Sequence, residues 1–300
     1  MTTGPITPAP RIASIKTKIL SSSTIEQKRI ALLEFGEQDT GKSYCALTFP
    51  DPFVMYFDTN LSTLRKFKDI PFVTPTTWLE IERDILPAIR NRKLSELVGR
   101  RVQTIVVDSL TFFNAMRQAE LTSRGKMEMT NIHWSELYAS LHALVQSGAQ
   151  ATKPLSEKPE AETYHFVCTV HKTMRAGKKG ENPKIVPTVD GQMRDQLYSF
   201  FDAVLCFDSQ SVAKSVAIEP GKPHKTVYEK QRFAWTVDPD AMTKSKNHIG
   251  VIDAKIIPTY DTLSKAWGLD GQARATPTEV PAEVGVEPST MNNTNQGATN

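Results

Sequence analysis

The sequence predicts an α/β fold, with a mainly parallel central sheet that is flanked by helices and extended by antiparallel strands. The first observation is that two apolar runs, residues 52–58 and 104–108, are continuous and end in an aspartate. Continuous apolar runs are typical of parallel strands that are covered on both faces. The second is that strands and helices alternate in the first two thirds of the chain, whereas residues 203–237 hold short strands joined by turns. Alternation indicates parallel pairing, and the later short connections indicate antiparallel pairing.

The individual elements follow from local patterns. Residues 29–35 are a short apolar run that predicts the first strand, and residues 43–49 can form a helix that Pro50 ends. Residues 148–162 are rich in Pro and charge, so we expect a mobile loop there. Helices are predicted at 77–97, 110–124, 131–147 and 191–201, further strands at 164–171, 203–207, 226–229 and 232–237, and a last strand and helix within 254–268.

The composition bounds the folded part of the chain. Of the 300 residues, 39% are hydrophobic, which is low for a compact globule. The start of the chain is rich in Thr and Pro, and the last thirty residues lack aromatic side chains. Segments of that composition cannot bury enough apolar surface to become ordered. We therefore expect a flexible segment at 1–20, one folded domain at 21–270 and a disordered tail at 271–300.

Charge and cysteine usage say less about function. The net charge of +3 is too small to indicate a nucleic-acid partner by itself, so the local distribution of charge matters more. The three cysteines lie in apolar runs without C-x-x-C spacing, which is typical of buried free thiols in a reducing compartment. The sequence has no signal peptide, no long apolar segment and no lipidation motif. It therefore predicts a cytoplasmic protein that does not contact a membrane.

The most informative motif is a complete phosphate-binding loop between the first predicted strand and helix. It consists of Gly36, Glu37, Gln38, Asp39, Thr40, Gly41, Lys42 and Ser43, which match G-x-x-x-x-G-K-[ST]. In this context backbone N–H groups would surround a β-phosphate, Lys42 would reach the β and γ oxygens, and the Ser43 hydroxyl would bind Mg²⁺. The motif predicts ATP and Mg²⁺ as cofactors, although no residues that select adenine over guanine can be assigned.

Asp108 is the second candidate residue for the same site. It ends a buried predicted strand, and ligands of open α/β sheets bind at the carboxyl ends of strands. Asp108 would therefore lie near the loop and hold Mg²⁺ through water, with the adjacent Ser109 as a possible assistant. The alternative is an ordinary aspartate that caps the next helix.

The order of these motifs resembles the RecA-type recombinase core. That order is the phosphate loop, a strand ending at Asp58, a strand ending Val-Val-Asp-Ser, and a strand ending at His171 before a basic segment. The closest resemblance is to the phage single-strand annealing proteins built on this core, and it covers residues 25–268. It implies a RecA-like P-loop NTPase fold, location in the host cytoplasm for a phage-encoded protein, and DNA recombination as the activity.

The resemblance also implies a sensor and a DNA-binding loop. His171 occupies the place of the residue that senses the γ-phosphate, and residues 172–190 occupy the place of the DNA-binding loop. Alternatively, His171 is only a polar strand end and the basic loop is only solvated surface. Cations on a glycine-containing segment can follow a phosphodiester backbone, so single-stranded DNA is the expected partner. The expected DNA-binding residues are Lys172, Arg175, Lys178, Lys179 and Lys184.

Two further positions follow from the same resemblance. Lys244 and Lys246 match a Lys-x-Lys pair that reaches the γ-phosphate bound by a neighbouring subunit. The match implies a homo-oligomer, as a ring or a filament. The alternative is that the two lysines lie on an exposed basic strand. RecA enzymes have a catalytic glutamate two residues after the position of Asp58, where this chain has Asn60. An amide cannot accept a proton, so hydrolysis is expected to be slow or to depend on Asp58.

The leading hypothesis is an ATP-binding recombination protein that binds single-stranded DNA and promotes annealing or strand pairing, with a single-strand-binding protein as a further possible partner. A helicase-like or packaging motor is a second hypothesis, which Asn60 disfavours because motors need efficient hydrolysis. A non-hydrolysing, nucleotide-gated adaptor is a third. DNA-stimulated ATP hydrolysis distinguishes them.

Overall fold

The computed structural model describes residues 29–123, 125–155, 158, 160–176, 183–190, 192–216, 225–236, 246–247, 255–267 and 269. The predictions for segments 1–20 and 271–300 lie outside these residues. The same holds for Lys178, Lys179 and Lys244, and for the side chain of Lys246.

Strands make up the centre of the described structure. They are β1 (Ala31–Gly36), β2 (Pro52–Tyr56), β3 (Phe72–Val73), β4 (Thr104–Asp108), β5 (His165–Arg175), β6 (Lys184–Pro187), β7 (Ala203–Val216), β8 (Lys225–Trp235), β9 (Lys246–Asn247) and β10 (Lys255–Ile256).

The helices lie on both faces of the sheet. They are α1 (Lys42–Leu47), α2 (Trp78–Glu80), α3 (Leu86–Arg90), α4 (Leu94–Val98), α5 (Leu110–Leu121), α6 (Asn131–Gln150), α7 (Met193–Gln196) and α8 (Tyr260–Trp267). A π-helical turn, Ile81–Ile85, joins α2 to α3, and 3₁₀ turns occupy Leu64–Lys66 and Leu197–Phe200.

The sheet has the predicted mixed topology. Its order is β10-β8-β7-β1-β5-β4-β2-β3, with β6 paired to β5 and β9 paired to β7. The strands from β7 to β3 pair in parallel, whereas β8, β10, β6 and β9 pair antiparallel. The α/β prediction is confirmed. One strand, β5, lies between the strand before the phosphate loop and the strand that ends at Asp108.

Strand register brings the predicted site residues to one edge of the sheet. Gly36 at the end of β1 is level with His171 on β5 and with Phe207 on β7. Tyr56 at the end of β2 is level with Asp108 at the end of β4. Since these strands are parallel, their carboxyl ends form a single edge, which is where open α/β sheets bind ligands.

Two hydrophobic layers hold the sheet between its helices. On one face Leu33 and Phe35 of β1 belong to a cluster that includes Leu141 of α6. On the other face Leu32 belongs to a cluster that includes Cys45 of α1 and others from α8. Every residue of β1 is buried, because helices cover both faces. Successive side chains alternate between the faces, so Glu34 lies on the α1 side.

The structure corrects several predicted boundaries. The single helix expected at 77–97 is interrupted, because Arg92 has φ +58° and a new helix begins at Leu94. Helix α6 continues to Gln150, so the loop expected at 148–162 starts later. The described parts of the short strands expected at 203–207, 226–229 and 232–237 belong to one long hairpin, because residues 206–216 of β7 pair with the whole of β8.

Candidate nucleotide-binding site

The phosphate loop joins β1 to α1 and contains two glycines at positions that disfavour a side chain. A Cβ at Gly36 would lie 2.5 Å from the backbone oxygen of Phe207. Gly41 has φ +96°, a conformation that favours glycine, and a Cβ there would lie 3.0 Å from Cδ of Arg232. The glycines of the motif are therefore explained by close packing and by backbone conformation.

Lys42 is folded back onto its own loop. Its Nζ donates to the backbone oxygens of Gly36, at 3.1 Å, and Glu37, at 2.5 Å. Burial lowers the pKa of Lys42 to about 8, and the negative charge of Asp108 opposes that shift. A bound phosphate would favour the charged ammonium in the same way.

Ser43 and Asp108 form the pair that could hold a metal. The Ser43 side chain hydrogen-bonds to Asp108, and Thr169 Oγ1 donates to Asp108 Oδ1 at 2.5 Å. Burial raises the pKa of Asp108, while the hydrogen bonds from Thr169 and Ser43 and the charge of Lys42 lower it. A hydroxyl and a carboxylate are the hard oxygen ligands that Mg²⁺ prefers alongside phosphate and water, so these residues fit the ion. When bound, Mg²⁺ neutralises charge on the phosphates.

Asp58 lies in the turn that follows β2. Its Oδ1 accepts from the backbone N–H of Asn60 at 3.1 Å, and Asn60 Oδ1 accepts from the backbone N–H of Ser62 at 3.0 Å. The negative charge of Asp58 adds to the rise that burial causes in the pKa of Asp108. It also partly opposes the lowering of the His171 pKa by burial and by Lys42, so the three groups share one electrostatic environment. The Asn60 side-chain oxygen accepts a hydrogen bond within the turn and an amide cannot act as a base, so Asp58 remains the candidate for proton transfer.

His171 is half-buried beside the loop. Its backbone N–H donates to Thr111 Oγ1 at 2.9 Å, and its ring lies 5.4 Å from that of Phe112 in a T-shaped arrangement. Burial, followed by the charge of Lys42, lowers the pKa of the imidazole. The ring is therefore neutral at pH 7, the state that can donate one hydrogen bond without carrying charge.

The basic segment after His171 is better ordered at its ends than expected. Residues 172–175 continue β5 and pair with β6, so a mobile loop is the wrong description there. Lys172 Nζ lies 3.5 Å from a carboxylate oxygen of Glu37, and Arg175 pairs with Asp195 at 3.6 Å. Lys184 is level with Arg175 across the hairpin. These three cations therefore lie on a β-hairpin that begins beside the phosphate loop.

Four residues at the site escape sequence reasoning. Glu34 is completely buried under α1, and Thr169 binds Asp108. Lys230 Nζ lies 2.7 Å from one Asp39 carboxylate oxygen, and an Arg232 guanidinium nitrogen lies 3.1 Å from the other. The Lys-x-Arg spacing on a strand was a visible signal, since residues two apart share a face. Nothing in the sequence linked either cation to Asp39.

Fold and site together define a P-loop NTPase. Residues 28–248 match the family described as the AAA domain, and the chain belongs to that family. Members of this family generally use ATP and Mg²⁺. No curated protein matches the chain. Within the described ranges, no helix is long and apolar enough to cross a membrane.

Proposed function

We propose that this P-loop protein binds ATP and single-stranded DNA and promotes annealing or strand pairing, with slow ATP hydrolysis. The observation that carries the proposal is the contact between Glu37 of the phosphate loop and Lys172 of β5, at 3.5 Å. Lys172 follows His171 directly and begins the hairpin that bears the other cations. A conformational change of the phosphate loop could therefore reach the basic segment through the contact between Glu37 and Lys172.

The nucleotide would be held by the residues already described. Lys42 supplies a positive charge to the β and γ oxygens, and Ser43 and Asp108 hold Mg²⁺. Asp58 is the carboxylate nearest in sequence to the place of the missing glutamate. Because Asn60 cannot accept a proton and its amide is used in the turn, catalysis of hydrolysis is weak. The proposal therefore favours a slow switch over a motor.

The switch would act through His171. His171 is level with Gly36, where the phosphate loop begins. In the proposal its imidazole donates to a γ-phosphate and loses that partner after hydrolysis. Its backbone oxygen accepts from Thr188 N–H at 2.7 Å, just beyond β6. Movement of His171 would therefore be transmitted to both strands of the hairpin.

DNA would be bound by charge rather than by base sequence. The predicted contacts are Lys172, Arg175, Lys178, Lys179 and Lys184, of which Lys178 and Lys179 stand between β5 and β6 in the sequence, outside the described residues. Affinity that depends on phosphate contacts falls as salt rises. In the proposal the protein also forms a homo-oligomer along the strand, in which Lys244 and Lys246 reach a neighbour's nucleotide, and it works with a single-strand-binding protein.

The test compares ATP hydrolysis with and without single-stranded DNA in the wild type and in Asp58→Asn. We expect slow hydrolysis that DNA stimulates and that Asp58→Asn reduces. Directional unwinding of a duplex would instead identify a motor. Absence of both DNA-stimulated hydrolysis and DNA binding at low salt would identify an adaptor and overturn the proposal.

A second experiment locates the DNA contact. Lys178→Glu combined with Lys179→Glu should weaken binding of single-stranded DNA and reduce its salt dependence, while MgATP binding stays unchanged. The matched control is Lys93→Glu combined with Lys265→Glu, since both lysines are exposed and far in sequence from the hairpin. Equal DNA affinity in the first double variant and the wild type would exclude the assigned hairpin.

A further inference from the structure

A pair of cations on β8 lies at the mouth of the phosphate loop. Lys230 and Arg232, the β8 cation pair, both bind the carboxylate of Asp39, at 2.7 Å and 3.1 Å. Arg232 Nε also donates to the backbone oxygen of Asp39 at 3.3 Å. The same side chain passes over Gly41, since its Cδ lies 3.0 Å from the position of a Cβ there. Arg232 therefore covers the loop from residue 39 to residue 41.

The chemistry of the loop makes this position significant. Glu37 and Asp39 place two carboxylates beside the segment that must accept a polyanion. Their charges repel phosphate unless cations offset them. Lys172 offsets Glu37, and the β8 cation pair offsets Asp39. The hydrogen bond from Lys230 and then that from Arg232 lower the pKa of Asp39, so the carboxylate is ionised at neutral pH.

Both cations remain accessible from solvent. About half of each side chain is exposed, 42% for Lys230 and 46% for Arg232. Both cations belong to the β7–β8 hairpin. This hairpin extends beyond the edge of the sheet where β1 ends, because Gly36 is level with Phe207 and β7 continues to Val216. Long side chains on that hairpin can change partners without moving the backbone.

We propose that the β8 cation pair binds the phosphates of the nucleotide within the same chain, and that Asp39 holds the pair in position until the nucleotide arrives. This inference rests on the proposed ATP binding. Arg232 would supply planar N–H donors to the phosphate oxygens, and Lys230 would supply a point charge. The loop acid and the nucleotide compete for the same two cations.

The alternative is that the β8 cation pair only neutralises Asp39. A double-mutant cycle distinguishes this role from direct binding of the phosphates. We would measure the affinity of the full chain for MgATP and MgADP by calorimetry, without DNA. Lys230→Gln with Arg232→Gln is made in the wild type and in Asp39→Asn. Asparagine tolerates the φ of +61° at this position, so the loop backbone is retained.

We expect the double glutamine variant to weaken MgATP binding at least about tenfold in both backgrounds, since charge-assisted hydrogen bonds to phosphate are lost. Full recovery of affinity in the Asp39→Asn background would overturn the proposal, because neutralisation of Asp39 would then be the only role. Lys214→Gln is the matched control on the same hairpin; Lys214 pairs with Glu229 at 3.6 Å and should not affect binding.

Folding and the wider proposal are checked separately. Thermal unfolding without nucleotide should be similar in all variants, and each single variant, Lys230→Gln or Arg232→Gln, should show a part of the loss. A wild type that does not bind MgATP would overturn both this inference and the nucleotide part of the proposed function. Normal MgATP binding that depends on the β8 cation pair, with no DNA binding, would support the inference and reject only the DNA function.

Discussion

Thr169 on β5 donates a 2.5 Å hydrogen bond from its hydroxyl to Oδ1 of Asp108 on β4. Both groups are buried at the edge of the sheet where Ser43 also meets Asp108. Burial alone would favour the protonated carboxyl, which binds metal poorly. Thr169 lowers the pKa of Asp108 and so favours the carboxylate, the form that a Mg²⁺ ion would need.

The first prediction removes that hydrogen bond. Thr169→Val keeps the shape of the side chain but loses the donor, so the pKa of Asp108 should rise further. We expect the Mg²⁺ concentration for half-maximal nucleotide binding to increase by about tenfold to a hundredfold, as for other partners of metal ligands. Thr169→Ser, which retains the hydroxyl, is the control. An unchanged Mg²⁺ requirement in Thr169→Val would show that Thr169 does not tune the site.

The second prediction concerns the proton on Lys42. Since burial lowers the pKa of Lys42 to about 8, a substantial fraction is neutral at pH 8.5 in the nucleotide-free protein. Phosphate favours the charged form and raises the pKa, so binding of MgADP should take up protons at pH 8.5 and much less at pH 7. Calorimetry in buffers with different ionisation enthalpies measures this uptake.

Lys42→Arg provides the matched control for that experiment, because the guanidinium stays protonated at both pH values. If the Lys42→Arg variant binds MgADP, that binding should show no proton uptake at pH 8.5. Equal apparent binding enthalpies for the wild type in all buffers at pH 8.5 would contradict the lowered pKa.

The third prediction concerns Glu34. Within the described part of the chain, its two carboxyl oxygens accept no hydrogen bond from a nitrogen or oxygen donor. Burial raises its pKa well above the usual range, and the charge of Asp108 adds to the rise; the Cys45 thiol opposes it. The folded protein therefore keeps a proton that the unfolded chain loses above about pH 4. The free energy of unfolding falls as pH rises between these two pKa values, by up to about 1.4 kcal/mol per pH unit.

Glu34→Gln removes this titration while keeping the side-chain shape. We expect the stability of the variant relative to the wild type to increase steadily from pH 5 to pH 8. Urea unfolding of the nucleotide-free proteins over that range measures the difference. Parallel stability curves for the two proteins would mean that Glu34 titrates as it does in the unfolded chain.

The fourth prediction tests the packing of α6 on the sheet. Gly148 faces Phe166 on β5, and a Cβ at this position would lie 2.2 Å from the ring. Gly148→Ala gains about 1 kcal/mol of helix propensity but forces a buried ring to move, which typically costs about 1–3 kcal/mol. We expect a net loss of about 1 kcal/mol in urea unfolding.

Phe166→Leu should reduce the effect of Gly148→Ala, because the smaller side chain leaves room for the methyl group. The two substitutions are then non-additive, as expected for residues in contact. A Gly148→Ala variant that is more stable than the wild type would show that the ring moves without cost.

Local sequence patterns were sufficient for the nucleotide loop and for the class of fold. The spacing of Gly36, Gly41, Lys42 and Ser43 depends on the geometry of one turn, so it is visible within eight residues. Continuous apolar runs predicted buried parallel strands, and β1, β2 and β4 are buried throughout. Asp108 could be predicted because the end of a strand is itself a local feature.

Only the tertiary structure decided which distant residues complete the site. Thr169 meets Asp108 because β5 lies next to β4, and the β8 cation pair meets Asp39 because β8 folds back along β7. Residues 39 and 232 are far apart in the chain, and no periodicity links them. Strand order and register are set by the packing of whole elements, so contacts between their side chains are properties of the assembled sheet.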